Sequence, residues 1–207
     1  RVPRNQWIRR RLGGRGQLSH VGTMIGSALT SDFVALHMTW GAANELSTLT
    51  SYHRLIARTQ HPELINLLNA IIKDERRHFA FYRAQARMRL ARSAAARRIT
   101  RWSMDHLWAI VGTGVRPQAE TDFVVVELFG GDEGREAASE MDRTIGELPG
   151  MSGSEIFRRA GAQAVQAHYG VRNPQASWRT RLMTLALAMF HLLRSLARER
   201  MGVSTGL

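Results

Sequence analysis

The chain has 207 residues, of which 44% are apolar, and a formal net charge of +12 at pH 7. This length and composition allow one globular domain with a sizeable core, alone or with a helical tail, and exclude fibrous and disordered classes. The absence of cysteine excludes disulfides, zinc–thiolate sites and iron–sulfur clusters, so the cytoplasm is the expected compartment. No apolar run is long enough to span a bilayer, and we expect neither a transmembrane helix nor a signal peptide.

The positive charge comes almost entirely from arginine. Lys73 is the only lysine among the 29 basic residues, a bias that GC-rich coding sequences often produce. The excess positive potential also suits an acidic partner, which could be nucleic acid, anionic lipid or an acidic carrier protein. Nucleic acid is the least favoured of these partners, because the chain contains no recognised DNA- or RNA-binding motif.

Helix breakers divide the chain into a basic arm followed by seven predicted helices. Residues 1–30 are rich in Gly and Arg and are interpreted as an arm or linker. The first two helices, 33–58 and 62–92, are separated only by a short break at His61-Pro62, which predicts an antiparallel hairpin. The remaining predicted helices are 94–111, 120–129, 133–145, 154–169 and 177–200.

The strongest chemical signal is an E-x-x-H motif, Glu75 to His78, deep inside the second predicted helix. Residues i and i+3 share one face, so a carboxylate and an imidazole can hold the same metal ion. The motif alone occurs by chance in many helices. Glu45 adds a second carboxylate from an apolar, small-residue stretch, and both glutamates lie about fifteen residues from the turn. Tyr52 repeats the face of Glu45 two turns later and is expected to hydrogen-bond a ligand carboxylate.

Two carboxylates and one imidazole suit iron or manganese and match half of the ligand set of a di-iron bundle. The segments Asn44-Glu45-Leu46 and Asp74-Glu75-Arg76-Arg77-His78 resemble the second half of the ferritin-like di-iron carboxylate superfamily, nearest to the soluble acyl-carrier-protein desaturases. This resemblance, over roughly residues 31–90, implies an all-α ferritin-like helical bundle. It makes Glu45, Glu75 and His78 the metal ligands, and Asp74 an acceptor that orients a histidine from the other half.

The resemblance also implies a domain division and an activity. Residues 31–112 would be the ferritin-like helices with half of a di-iron site, and 113–207 would be additional helices packed on the bundle. The expected activity is that of a non-haem di-iron oxidoreductase, of desaturase or oxygenase type, which activates dioxygen on an apolar substrate such as an acyl chain. An acidic acyl-carrier protein or an electron-donor protein would be its partner.

The chain departs from this family in one respect: no second Glu with a second E-x-x-H occurs in the 207 residues. The downstream candidates Asp105-His106, Glu127 and Glu140 lack the required spacing. The other half of the site could lie upstream of Arg1, come from the second subunit of a homodimer, or have been lost together with the metal. The first explanation is favoured because the chain begins with arginine rather than methionine.

A function from another class stays open, namely a metal-free ferritin-like scaffold or a peripheral membrane-associated adaptor. The last predicted helix has an apolar-rich core, 182–193, with arginines on both sides. This pattern fits a packing helix, which we favour, but also allows peripheral membrane contact through 178–200. The iron content of the purified chain would separate the two classes of function.

Overall fold

The computed structural model describes residues 32–113 and 116–170, which all belong to one compact unit ending at Gly170. Apart from an isolated bridge between Thr113 and Arg116, the secondary structure of these residues is helical. The predicted all-α class is therefore confirmed, while the ferritin-like arrangement stays a prediction. The described helices are α1 (Asp32–Arg58), α2 (Pro62–Arg92), α3 (Ala94–His106), α4 (Gln118–Phe129), α5 (Gly131–Gly146) and α6 (Ile156–His168).

The helices α1 and α2 form the antiparallel hairpin that the sequence predicted. His61 caps α2, because its side chain accepts a hydrogen bond from the backbone N–H of Leu64 at 3.4 Å. Pro62 follows at the first helical position, where its missing N–H costs nothing and its fixed φ suits the helix. The two helices share the most extensive interface among the described elements. The sequence signal at His61-Pro62 thus marks the turn correctly.

Small residues bring α1 and α2 close together. Ala42, Ala43 and Ala86 are completely buried between the packed helices. A Cβ atom at Gly41 would lie 2.6 Å from the Tyr82 ring, so only glycine fits at this contact. This close approach is what allows side chains of moderate length on the two helices to meet.

The end of α3 differs from the prediction. We expected this helix to continue to residue 111, but it ends at His106, and the N–H of Leu107 bonds the Ser103 carbonyl oxygen at 2.8 Å. Beyond this point Trp108 turns into the core, where its indole N–H donates to Asn44 Oδ1 at 3.2 Å and its ring packs edge-on against Phe157. These contacts of Trp108 with distant residues favour an end of α3 at His106. The other predicted boundaries differ from the observed ones by at most two residues, which is within the usual uncertainty of helix ends.

The helices α3 to α6 pack beside the hairpin, with α3, α4 and α5 contacting α1, and α6 contacting α4 and α5. The run of Phe123 to Val126 is β-like in composition but lies in α4, as its all-helical surroundings predicted. Val125, Val126 and Phe129 of this helix are buried in the common core. Besides α2, the helix α3 makes the most extensive contact with α1 among the described helices, and α4 and α5 make smaller ones.

Several predictions concern residues outside the described part of the chain. They are the basic arm at 1–30, the last helix at 177–200 and the membrane contact through 178–200. Among the described helices, none combines the length and the apolar character that a bilayer crossing requires. The predicted division at residue 112 stays a prediction.

Candidate metal centre

The three predicted metal ligands meet between α1 and α2. Glu45 lies on α1, and Glu75 and His78 lie on α2; one ligand atom from each falls within 4.8 Å of the other two. The carboxyl groups of Glu45 and Glu75 face each other, and His78 Nδ1 lies 3.1 Å from Glu75 Oε2. The hairpin thus places side chains thirty residues apart in sequence at one point, as the spacing around the turn predicted.

The group is sheltered on one side and open on the other. The side chain of Glu75 is only 19% exposed, and Glu45 is half-buried. The His78 side chain is 58% exposed. The carboxylates therefore lie at the bottom of the group, while the imidazole forms its solvent-facing edge.

The electrostatics of the group favour a bound cation. Burial is the largest cause that raises the pKa of Glu45 to about 7, followed by the hydrogen bond and the negative charge of Glu75; His78 acts in the opposite direction. Among the described residues, no arginine or lysine forms an ion pair with Glu45 or Glu75. Two facing carboxylates without an arginine or lysine partner repel each other, and a divalent cation between them removes that repulsion. The oxygen and nitrogen donors suit iron or manganese.

Tyr52 lies close to this group, two turns after Glu45 on α1. Burial raises the pKa of its hydroxyl, and the negative charges of Glu75 and Glu45 raise it further. The described side chains show no hydrogen bond between this hydroxyl and either carboxyl group, in contrast to the expectation from sequence. Tyr52 is therefore a neighbour of the group rather than a direct partner of a ligand.

Asp74 lies on the exposed side of α2, next to the ligands in sequence but apart from their cluster. Its carboxylate pairs with Arg77 at 3.2 Å, and its side chain is 67% exposed. The role that the resemblance gives to Asp74 requires a histidine from a second half-site, so it stays a prediction. His53, beside Tyr52 in sequence, is exposed, and its Nε2 lies 3.4 Å from Arg76 Nη2.

The other acidic and histidine candidates from the sequence do not join the group. Asp105 pairs with Arg101 on α3, and His106 Nδ1 lies 2.8 Å from the Trp102 carbonyl oxygen. Glu140 and Glu127 are exposed on other helices. Within 32–113 and 116–170, the metal-ligand cluster is therefore limited to three side chains. The described part of the chain provides half of the ligands that a di-iron bundle needs.

The structure also contains an apolar cavity that the sequence did not predict. This cavity has a volume of about 340 Å³ and lies between α1, the connection after α3, and α4. Thr48 and Tyr52, one and two turns after Glu45, line its wall. The small polar residues on this face of α1 were a sequence signal for a cavity wall. The opposite wall comes from α4, and the position of α4 follows only from tertiary packing.

The geometry is also the only basis on which a function can be assigned. Comparison with protein-family models, with curated proteins and with solved structures finds no match for this chain.

Proposed function

We propose that this chain carries half of a ferritin-like, non-haem di-iron site and acts as an oxidoreductase of desaturase or oxygenase type. One observation carries the proposal: Glu45 from α1 meets Glu75 and His78 from α2 within 4.8 Å, and among the described residues no arginine or lysine pairs with either carboxylate. Such a like-charged pair is costly in a sheltered position unless a cation or a proton occupies it.

The residues of this chain would perform three tasks at the site. Glu75 would hold the centre of the group, and His78 would offer an imidazole nitrogen from the same helix face. Glu45 gives up its proton when a cation binds, because a carboxyl group with a pKa of about 7 is partly protonated in the metal-free protein. The bound metal supplies dioxygen activation for the oxidation of an apolar substrate such as an acyl chain.

Three protein ligands are about half of the six that a di-iron bundle provides from four helices. The proposal therefore requires a second helix pair with its own carboxylates and histidine. That pair would come from a longer form of the chain or from a second copy in a homodimer. The exposed edge of the cluster at His78 leaves room for it.

The exposed face of α2 supports an acidic partner. Lys73 and Arg76 are exposed there, so this face would attract a negatively charged surface by long-range steering. An acidic acyl-carrier protein or an electron-donor protein would fit that charge and the proposed reaction. The absence of cysteine keeps the cytoplasm as the proposed compartment.

The second candidate is a metal-free ferritin-like scaffold or adaptor. The observation in its favour is that the described residues supply only three ligands, and that one of them is largely exposed. A scaffold of this kind would keep the packing of α1 and α2 without needing a cation between the carboxylates.

Metal titration separates the two candidates. We expect the chain to bind Fe²⁺ and Mn²⁺, and we expect Glu75→Gln and His78→Ala to weaken binding at least about tenfold without loss of helicity. Glu127→Gln is the matched control, because Glu127 is an exposed glutamate on α4, away from the cluster. Equal metal binding by all four proteins would contradict the proposed site. A folded chain that binds neither metal, alone or in a longer form, would favour the scaffold.

A further inference from the structure

The face of α2 that carries His78 also exposes large apolar side chains. Leu67, Phe81 and Met88 on this helix are 57%, 56% and 39% exposed. The neighbours of α2 among the described helices are mainly α1 and, over a shorter length, α3, and neither covers these three side chains. Large apolar side chains gathered on one exposed helix face mark a surface that a partner covers.

The exposed residues follow the spacing by which two helices pair. Steps of four and three residues alternate along this face, so the residues lie in one line along α2. Its centre is polar and its ends are mainly apolar. We call these residues the α2 seam, and they are Leu67, Ile71, Asp74, His78, Phe81, Gln85 and Met88.

The α2 seam is symmetric about Arg76. Ile71 and Phe81 lie five residues before and after Arg76, and Asp74 and His78 lie two residues before and after it. When two copies of a helix pack antiparallel about a two-fold axis at this position, residues equally far from the axis on opposite sides meet. Ile71 then packs on Phe81 of the second copy, and the Asp74 carboxylate lies level with the second imidazole. One sequence thus supplies both an apolar layer and a layer of complementary charge.

The metal-ligand cluster lies at the same height on α2. Glu75 and His78 are both within two residues of Arg76, and His78, whose side chain is 58% exposed, belongs to the cluster and to the α2 seam. A two-fold axis at this height brings the cluster of a second copy beside the first. Together the two clusters offer four carboxylates and two imidazoles from four helices, which is the ligand set that one copy provides only in half.

We propose that a second copy of this chain covers the α2 seam, packed antiparallel about a two-fold axis near Arg76, and that the two clusters of Glu45, Glu75 and His78 together form one metal site. The use of the shared site for metal rests on the proposed function, but the dimer itself does not. A cation held by ligands from both copies binds the dimer in preference to the monomer, so metal binding and dimerisation strengthen each other.

The first test measures self-association by sedimentation equilibrium, with a matched pair of variants. Phe81 and Phe123 are 56% and 51% exposed, but only Phe81 belongs to the α2 seam. We expect the parent chain to dimerise and Phe81→Lys to weaken dimerisation at least about tenfold, because the two-fold axis places the new charge in the interface twice. Phe123→Lys adds the same charge on α4 and should dimerise as the parent does. A monomeric parent chain, with and without Mn²⁺, or equal weakening by both variants would overturn the proposal.

The second test checks the antiparallel register by disulfide cross-linking. The chain contains no cysteine, so introduced thiols react only with each other. A mixture of Ile71→Cys and Phe81→Cys chains should form linked heterodimers on mild oxidation, identified by their mass. Each variant alone should stay unlinked, because its two thiols are separated by about ten residues of helix, roughly 15 Å, and a disulfide needs Cα atoms within about 7 Å. Linkage within each single variant, or none in the mixture, would overturn the proposed axis.

The third test separates the shared site from the proposed function. Mn²⁺ should strengthen dimerisation of the parent chain at least about tenfold and have no such effect on Glu75→Gln, which removes a ligand charge outside the α2 seam. Phe81→Lys should lose Mn²⁺ affinity although its own ligands are intact. Dimerisation without metal binding would support the interface and remove the proposed metal function. Mn²⁺ binding by monomeric Phe81→Lys with the affinity of the parent would overturn the shared site and leave the metal function standing.

Discussion

Two of the described regions that shelter carboxylates, one around Asp142 and one around Glu45, treat them differently. Asp142 on α5 is only 4% exposed, and it accepts hydrogen bonds from the backbone N–H groups of Phe157 and Arg158 at 3.0 and 3.2 Å. The guanidinium of Arg158 adds a third contact at 3.2 Å. Glu45 and Glu75, in contrast, face each other, and their remaining neighbour in the cluster is the imidazole of His78.

This difference separates a structural carboxylate from a candidate ligand. Burial raises the pKa of Asp142, and its backbone and arginine contacts partly offset that rise. Asp142 holds the beginning of α6 in place by satisfying N–H groups that have no helical partner. The Glu45–Glu75 pair has neither backbone N–H nor arginine partners among the described residues, and its negative charge is available to a cation. The identity of the partners therefore distinguishes the two regions.

The largest effect on folding is expected at Asp142. Asp142→Ala leaves buried N–H groups of α6 without an acceptor and should lower the free energy of unfolding by about 3 kcal/mol. Urea unfolding followed by circular dichroism measures this change. Metal affinity should remain that of the parent chain in the folded protein. A stability loss below about 1 kcal/mol would show that α6 does not depend on this carboxylate.

At Glu45 we expect a substitution to lower metal affinity rather than stability. Glu45→Gln removes a ligand charge but keeps the side-chain volume, so it should weaken Mn²⁺ binding about 10- to 100-fold while leaving the chain folded. Titration followed by electron paramagnetic resonance of free Mn²⁺ gives the affinity. If Glu45→Gln unfolds the chain, or if Asp142→Ala also abolishes metal binding, the distinction between the two carboxylate regions fails.

The hairpin and α6 should also differ in their tolerance of a single methyl group. Gly41→Ala places a Cβ against the Tyr82 ring and should cost about 1 kcal/mol even after the gain in helix propensity. Gly161→Ala, inside α6, meets no atom within 4 Å and should stabilise the chain by about 0.5–1 kcal/mol. Thermal unfolding compares the two variants. A stabilising Gly41→Ala would show that α1 and α2 can separate without cost.

Local signals explain how much of the fold was predictable. His61-Pro62 carries both a cap and a first-turn proline, so the hairpin turn could be located from a few residues. The end of α3 had no such signal, because it depends on Trp108 reaching Asn44 and Phe157, which are distant in sequence. Helix ends set by tertiary contacts are not encoded in the local pattern.

The candidate site also combines features that the local sequence predicts with features that depend on tertiary contacts. The height of Glu45 and Glu75 along the hairpin follows from counting residues to the turn, and the structure brings them together with His78. The absence of an arginine or lysine partner among the described residues could not be read from an arginine-rich sequence, since it depends on where each guanidinium points. The cavity was also unpredictable, because one of its walls comes from α4.

The smallest predicted effect concerns the pH dependence of stability in the metal-free chain. The pKa of Glu45 is raised from 4.5 to about 7, so between these values the folded chain keeps a proton that the unfolded chain has released. Stability should therefore fall as pH rises from about 4.5 to about 7 and then level off. Solvent screening of this half-exposed group limits the effect to about 1 kcal/mol.

Urea unfolding at pH 4.5, 5.5, 7 and 8 tests this for the parent chain and for Glu45→Gln, in which that part of the pH dependence should disappear. Asp142 has a raised pKa as well and acts in the same direction, but it is present in both proteins, so the difference between them isolates Glu45. Added Mn²⁺ should restore stability at pH 8 in the parent chain and much less in the variant, because the cation replaces the proton between the carboxylates. Equal pH profiles with and without Glu45 would mean that the carboxylates of Glu45 and Glu75 do not repel each other in the folded chain. The electrostatic argument for a metal site would then fail.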